Sequence, residues 1–254
     1  MKKIIRSFWI MALLLPVLLQ AAPLKKAQEV TEAREVKESR DYEEGRDYRL
    51  LKSPVQTSVG PDRIEVAEVF WYGCPHCYSL DKVVNEWKPK LAKEAKLVRV
   101  PGFFGPNLWQ THAQLYYTLE SLFPDEKLLD SVHDAVFRQV QETNNRLTNE
   151  KEMTDYLSQH YKVDKEKFLS YYNSFGVKNL LNQASSKVRG YQLTGVPALV
   201  VDGRFVIEPK VGLEKMPEIA DFLIQKVSTE RAEAKAKKAP VTSQPVKDQN
   251  VKVK

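Results

Sequence analysis

The two cysteines of the chain, Cys74 and Cys77, lie three positions apart, and this pair constrains the fold more than any other feature. They follow the run IEVAEVFWY at 64–72, whose β-branched and aromatic residues predict a buried strand. Apolar residues at helical spacing come after the pair and predict a helix to about Leu91. The cysteines are therefore expected where a strand passes into the start of a helix.

The short spacing decides how this pair is interpreted. A disulfide that closes so small a loop removes little entropy from the unfolded chain, so it would contribute little as a structural crosslink. A zinc site needs two more ligands, and the sequence has no second cysteine pair. The histidines His112, His133 and His160 occur singly within helical patterns and are interpreted as core or surface residues. The pair is therefore interpreted as a redox centre, with no metal.

The residues of the motif suit thiol chemistry. Cys74 is predicted at a helix N-terminus, where unpaired N–H groups and the helix dipole favour a thiolate. Pro75 fixes φ in the first turn and lacks an N–H that would have no helical partner. His76 can add positive charge or a hydrogen bond. A stabilised Cys74 thiolate stabilises the reduced form and makes the disulfide oxidising, while Cys77 is expected to be buried and to resolve the mixed disulfide.

The N-terminus is predicted to lie outside the fold. Lys2, Lys3 and Arg6 precede an apolar stretch and small residues near Ala21, so residues 1–22 are interpreted as a cleaved signal peptide, with an uncleaved membrane anchor as the alternative. Export into an oxidising compartment permits disulfide chemistry. The charged segment 23–41 is expected to be disordered or loosely helical, with a dimerising helix as the alternative.

The net charge of +6 comes mostly from the two ends of the chain. The remaining part is close to neutral and has no basic stripe, which argues against a nucleic-acid-binding function. Residues 228–254, rich in Ala, Lys, Pro and Gln, are interpreted as a disordered basic tail, with contact to an anionic surface as the alternative.

The order of predicted elements indicates the fold class. A second strand is predicted at 97–104, a block of helices follows, and Pro197 to Ile207 reads as a β-hairpin with the two-residue turn Asp202-Gly203. A last helix is expected at about 214–227. In the helical block, Asn149 and Asp164 are predicted N-caps.

A β-α-β start and a β-β-α end are the two halves of a thioredoxin-like domain. The sequence therefore predicts an α/β protein, a thioredoxin-like fold with an inserted all-helical domain. The first thioredoxin-like part, the helical insertion and the second thioredoxin-like part are expected at residues 42–104, 105–187 and 188–227.

The CPHC motif and several other stretches of this sequence resemble the DsbA family of thiol:disulfide oxidoreductases, over about residues 41–227. CPHC within FWYGCPHC is joined by TGVPALVVDGRF downstream and by the helical block between them. The segments YEEGRDYRLLKSP at 42–54 and NSFGVKNLL at 173–181 also resemble that family. The resemblance implies that Cys74 is the exposed attacking cysteine and Cys77 the resolving one. It also implies that Val196-Pro197 forms a cis-proline loop facing them, where the Val196 backbone can pair with an extended peptide.

Glu68 matches the buried acid of that family, six residues before Cys74. A carboxylate under the disulfide would have a raised pKa and could accept the proton of Cys77. Strand alternation places Glu65 and Glu68 on opposite faces, and Lys96 is considered as a basic partner of Glu68.

Of the aromatic residues before the motif, Phe70 is assigned to the core, while Trp71 and Tyr72 could line a peptide groove. Trp109 and Tyr116-Tyr117 are expected to pack the insertion.

The resemblance implies a periplasmic oxidase that donates its Cys74–Cys77 disulfide to reduced exported proteins. Its partner would be a DsbB-type membrane oxidase that reoxidises it, and it would need no bound cofactor, bind no nucleic acid and act as a monomer. Two alternatives stay open from the residues: a dimeric disulfide isomerase, supported only by segment 23–41, and a non-catalytic peptide-binding chaperone that uses the aromatic groove.

Overall fold

The computed structural model describes residues 42–238, so the predictions for residues 1–22, for 23–41 and for the tail beyond Lys238 lie outside the described residues. Within this range the strands are β1 (Arg49–Leu50), β2 (Ile64–Phe70), β3 (Ala95–Pro101), β4 (Ala198–Val201) and β5 (Phe205–Ile207). The helices are α1 (Pro75–Trp87), α2 (Leu108–Leu122), α3 (Glu126–Glu142), α4 (Glu150–Tyr161), α5 (Lys165–Tyr172), α6 (Phe175–Gly190) and α7 (Met216–Lys238).

The five strands form one sheet in the order β1-β5-β4-β2-β3. Strand β2 pairs in parallel with β3, because α1 crosses over between them, and it pairs antiparallel with β4. Strands β4 and β5 are antiparallel neighbours, and β1 pairs antiparallel with β5 at the edge. Together with the helical insertion between β3 and β4, this arrangement is the predicted thioredoxin-like fold.

Both faces of the sheet are covered, which explains why all seven residues of β2 are buried. Val66 faces a cluster that includes Leu80 of α1 and Leu223 of α7. The adjacent Ala67 faces the other cluster, which includes Leu119 and Phe137 of the insertion. Because side chains alternate along a strand, one short apolar run serves both cores.

Helices α2 to α6 form the insertion, and each begins at a polar side chain that accepts a hydrogen bond from an amide of its first turn. These N-caps are Asn107, Asp125, Asn149, Asp164 and Ser174, which include the two predicted caps. Helix α6 continues to Gly190, past the expected domain boundary at 187. No helix among the described residues is both long enough and apolar enough to cross a membrane.

The C-terminal boundary was predicted wrongly. Helix α7 does not end near 227 but continues to Lys238, so residues 228–238 of the expected disordered tail are helical. Arg231 explains part of this extension: it pairs with Asp202 at 2.6 Å and donates to the carbonyl oxygens of Pro61 and Arg63. The long-range partners of Arg231 were not visible in the local composition.

Some strand and turn boundaries also differ from the predictions. Strand β2 ends at Phe70 rather than at 72, and β3 occupies Ala95–Pro101 rather than 97–104. Helix α1 ends at Trp87, and a 3₁₀ turn that contains Pro89 follows it. The predicted hairpin is present, but Val201 pairs with Phe205, so three residues and not two form its loop.

Candidate active site

The cysteine pair lies where β2 passes into α1, as predicted. Cys74 is the N-cap of α1, and its sulfur accepts a hydrogen bond from the backbone N–H of Cys77 at 3.3 Å. Pro75 occupies the first turn, where a missing N–H costs nothing, and Pro75 and His76 are exposed. Cys74 is half-buried and Cys77 is fully buried, and both are free thiols in the structure. Only Cys74 is therefore accessible to another protein.

The two thiols have opposite electrostatic environments. The pKa of Cys74 is lowered from 9.0 to about 6, mainly by a hydrogen bond from the Cys77 side chain, with the N–H groups of Cys77 and His76 and the charge of His76 adding to it. Burial raises the pKa of Cys77 far above its usual range. At neutral pH Cys74 is therefore a thiolate beside a protonated Cys77.

The loop before β4 faces the cysteine pair. The peptide bond between Val196 and Pro197 is cis, and the Cys74 sulfur lies 3.8 Å from the carbonyl oxygen of Val196. Gly102, at the end of β3, lies against the same loop, because an added Cβ there would lie 2.9 Å from Cγ1 of Val196. A glycine at position 102 therefore allows Val196 to approach the ends of the central strands.

Glu68 is fully buried in β2, and its partner is Arg99 rather than Lys96. The parallel register places Arg99 of β3 directly beside Glu68, and the Arg99 Nε lies 3.3 Å from the Glu68 carboxylate. Lys96 is exposed and lies beside Glu65 in the register. Burial raises the pKa of Glu68 to about 8 although Arg99 opposes the shift, and the Glu68 charge in turn raises the pKa of Cys77.

Glu65 and Glu68 lie on opposite faces of β2, as the alternation predicted, and both are buried. Glu65 receives a hydrogen bond and an ion pair from Lys187 of α6 at 2.7 Å. Each of the two buried acidic side chains thus lies beside a basic one, Lys187 for Glu65 and Arg99 for Glu68.

Arg99 is shared among acidic groups from three elements. It contacts Glu68 of β2, Asp81 of α1 at 3.3 Å and Asp130 of α3. Asn85 of α1 also accepts a hydrogen bond from the Arg99 guanidinium at 2.8 Å. Although burial alone would lower the pKa of Arg99, the surrounding carboxylates raise it, so the guanidinium stays charged. Arg99 is a residue that the sequence interpretation missed, because a parallel register cannot be read from sequence.

His133 of α3 is a core residue with two hydrogen-bond partners. Its Nδ1 lies 2.9 Å from the Tyr72 hydroxyl, and its Nε2 lies 3.2 Å from the Asp81 carboxylate. Burial lowers the pKa of His133, whereas His133 and Arg99 outweigh burial and lower the pKa of Asp81. A neutral imidazole beside an ionised Asp81 must donate from Nε2 and accept the Tyr72 proton at Nδ1.

The aromatic residues before the motif serve different purposes. Phe70 and Tyr72 are fully buried, so Phe70 is a core residue as predicted and Tyr72 lines no open groove. Trp71 is half-buried and stacks on Trp109, with ring centroids 4.3 Å apart. Phe104 adds an edge contact to Trp109 at 5.5 Å and is 40% exposed. Trp109, which was expected to pack the insertion, also joins Trp71 and Phe104 in an aromatic surface beside the cysteine loop.

A thiolate at a helix N-terminus beside a buried thiol, on a sheet of this topology, is the chemistry of thioredoxin-like thiol:disulfide oxidoreductases. Within residues 42–238, no group of three or more His, Cys, Asp or Glu side chains is arranged to hold a metal ion. The helical insertion between β3 and β4 narrows this class to thioredoxin-like proteins that carry an inserted helical domain.

Comparison with known proteins agrees with this class. A family model described as DSBA-like thioredoxin domain matches residues 89–223, a range that begins after the cysteine motif. Thiol:disulfide interchange protein DsbA of Pseudomonas aeruginosa is 44% identical over 187 residues, which cover 73% of this chain and 84% of the relative. The protein of the same name from Pseudomonas syringae pv. tomato is 41% identical over 190 residues, which cover 74% of this chain and 84% of the relative.

The fold agrees as well. The crystal structure of Pseudomonas aeruginosa DsbA superposes with a TM-score of 0.69 at 42% identity and covers 78% of this chain and 98% of that one. The chain therefore belongs to the DsbA family, and it is a thiol:disulfide oxidoreductase. Membership of this family implies protein substrates and a redox partner in general.

Proposed function

We propose that this chain is a dithiol oxidase that donates the Cys74–Cys77 disulfide to reduced exported proteins as they fold. The observation that carries the proposal is the difference between the two thiols, since the pKa of Cys74 is about 6 and that of Cys77 is raised. Because the reduced state contains a stabilised Cys74 thiolate, reduction of the disulfide is favourable and the oxidised protein is a strong oxidant.

The exchange proceeds in two steps. A substrate thiolate attacks the Cys74 sulfur, the Cys74–Cys77 bond breaks, and a mixed disulfide forms between substrate and Cys74. A second substrate thiolate then attacks the substrate sulfur of that bond and releases the Cys74 thiolate. The substrate loses two electrons and the protein gains them.

Proton transfer in the first step involves the buried side of the pair. Cys77 leaves as a thiolate in an environment that raises its pKa, so it needs a proton. Glu68 has a pKa of about 8 and is protonated at neutral pH, which suits it to supply that proton and to accept it again on reoxidation.

Two surfaces beside Cys74 suit an extended, partly unfolded substrate. The Val196 backbone lies within reach of the Cys74 sulfur, so a peptide that pairs with Val196 would bring its cysteine to the reactive atom. The aromatic surface of Trp71, Trp109 and Phe104 offers contact area to apolar side chains without demanding a particular sequence.

The proposed localisation, reoxidising partner and oligomeric state follow from the sequence and the family. The N-terminal segment 1–22 has the composition of a signal peptide, which supports export to the periplasm. A DsbB-type membrane oxidase would accept the two electrons and restore the disulfide. The protein would act as a monomer, because one exposed Cys74 is sufficient for the exchange.

The test is oxidation of a reduced, denatured disulfide protein by the purified, oxidised chain, compared with the Cys74→Ser variant. We expect stoichiometric oxidation by the wild type and none by Cys74→Ser, together with a glutathione equilibrium far more oxidising than that of thioredoxin. Oxidation by Cys74→Ser at the wild-type rate would refute the proposal. Repair of scrambled disulfides by a dimer would instead favour an isomerase. A chaperone would be favoured if the wild type had no redox activity and the Cys74→Ser/Cys77→Ser variant still held unfolded substrate proteins as well as the wild type does.

A further inference from the structure

The loop that presents Cys74 is short and lies between regular elements. Strand β2 ends at Phe70 and helix α1 begins at Pro75, so Trp71, Tyr72 and Gly73 connect them. The loop is tightly packed: a Cβ at Gly73 would lie 2.3 Å from the Trp71 ring. A small change of backbone direction here would move the Cys74 sulfur relative to the amides that stabilise its thiolate.

Helix α3 of the insertion contacts this loop through a hydrogen bond. Gln141, in the last turn of α3, donates from its side-chain amide to the carbonyl oxygen of Tyr72 at 2.6 Å. Tyr72 lies two residues before Cys74. The thioredoxin-like domain supplies the cysteines, but a side chain of the inserted domain thus holds the backbone that leads to them.

The same helix contacts the other side of the motif. His133 links the Tyr72 hydroxyl to Asp81, which lies on α1 four residues after Cys77. Glu142 accepts a hydrogen bond from the Tyr78 hydroxyl in the first turn of α1. Helix α3 therefore has polar contacts both before and after the cysteine motif, and it can fix the angle between the loop and the helix.

We propose that Gln141 is a positioning residue, whose hydrogen bond from the helical insertion to Tyr72 holds the backbone that presents Cys74 to its stabilising amides. The proposal rests on the proposed redox role of Cys74. Without the Gln141 N–H, the Tyr72 carbonyl can rotate, and the Cys77 and His76 amides that lower the pKa of Cys74 are less well aligned. The thiolate then loses stability, and the disulfide becomes a weaker oxidant.

Helix α3 offers a matched control for this inference. Gln139 lies two residues earlier, is half-buried like Gln141, and donates to the Thr143 hydroxyl at 2.7 Å and to the Asn145 carbonyl at 3.1 Å. These partners belong to the insertion itself. Methionine at either position keeps the length of the side chain and the helix propensity but removes the amide donor.

The experiment compares Gln141→Met, Gln139→Met and the wild type by ultraviolet thiolate titration of Cys74 and by redox equilibrium against glutathione. For Gln141→Met we expect a Cys74 pKa higher by about 0.5 units and a glutathione equilibrium constant changed about threefold toward a weaker oxidant. Gln139→Met should match the wild type in both measurements, whatever its unfolding free energy. Gln141→Leu, which also lacks a donor and carries no charge, should behave like Gln141→Met.

Two results would overturn the inference. Wild-type pKa and equilibrium constant in Gln141→Met and Gln141→Leu would show that the hydrogen bond does not position Cys74. Equal shifts in Gln141→Met and Gln139→Met would assign the effect to the stability of the helix. Failure of the proposed function would be seen separately, as a wild type that does not oxidise substrate thiols.

Discussion

The sulfur of Cys74 lies 3.8 Å from the carbonyl oxygen of Val196, a residue 122 positions further along the chain. The sheet explains the contact. Strands β2 and β4 are antiparallel neighbours, with Val69 paired to Ala198, so the end of one strand lies beside the start of the other. The cysteine loop continues from the end of β2, and the Val196-Pro197 loop leads into β4. The strand register therefore places the Cys74 sulfur beside the Val196 backbone, for which we propose a role in peptide binding.

The pKa of Cys74 should depend on the donor at position 77. We expect Cys77→Ala to raise the Cys74 pKa by about 1 unit, because the Cys77 side-chain hydrogen bond is the largest contribution to the lowered pKa of about 6. Cys77→Ser keeps a donor of similar size and should have the lower pKa of the two variants. The pH dependence of Cys74 alkylation measures both, and equal values in the two variants would contradict the prediction.

Glu68 should make stability depend on pH. Its folded pKa of about 8 lies above the ordinary 4.5, so between these values the folded protein retains a proton that the unfolded chain has released. Rising pH then destabilises the wild type through this group, by up to about 1.4 kcal/mol per pH unit, and Glu68→Gln removes the effect. Urea unfolding at several pH values should show the variant gaining on the wild type as the pH rises from about 5 to 8. A difference independent of pH would mean that Glu68 titrates normally.

The hydrogen bond between Tyr72 and His133 should be visible as coupling between two mutations. Tyr72→Phe and His133→Phe each leave a buried polar group without a partner and should each cost about 1–3 kcal/mol of unfolding free energy. The double variant should cost less than the sum, by about 1 kcal/mol or more, since it removes both groups. Denaturant unfolding of the reduced proteins gives the cycle, and strict additivity would show that the bond contributes nothing.

The helical extension of α7 should contribute to stability through one residue. Arg231→Ala removes the pair with Asp202 and two hydrogen bonds to backbone carbonyls, and we expect a loss of about 1 kcal/mol, because the Arg231 side chain is partly exposed. Lys237→Ala, on the exposed surface of the same helix, should change the unfolding free energy by less than about 0.5 kcal/mol. Equal effects of the two substitutions would indicate that only helix propensity is involved.

Local sequence signals predicted the elements of the fold and the position of the cysteine pair between a strand and a helix. The apolar run before Cys74 predicted β2 because short β-branched stretches bury well on both faces of a sheet. Asn149 and Asp164 predicted two helix starts because their side chains satisfy amides within the same turn. The position of Cys74 at a helix N-terminus, and hence its thiolate character, was predicted from local residues: the strand before it, and Pro75 and the helical pattern after it.

Contacts between residues far apart in the chain could not be predicted from local sequence signals. Lys96 was considered as the partner of Glu68, but the register of β2 and β3 places Arg99 beside Glu68, and no local sequence signal fixes which residue of β3 lies beside which residue of β2. Trp109 was assigned to the insertion, yet it stacks on Trp71. The extension of α7 depends on Asp202 and on the turn near Pro61, to which a local composition gives no clue.

The sequence by itself therefore determined the chemistry: two cysteines at a strand-to-helix junction, with a proline and a histidine between them, in a chain of thioredoxin-like element order. Only the tertiary structure decided what surrounds that chemistry, namely Val196 beside the sulfur, Arg99 beside Glu68, and Gln141 and His133 behind the loop. The physical reason is range. Helix caps, dipoles and side-chain periodicity act over a few residues, whereas burial, register and ion pairing join residues that only the folded chain brings together.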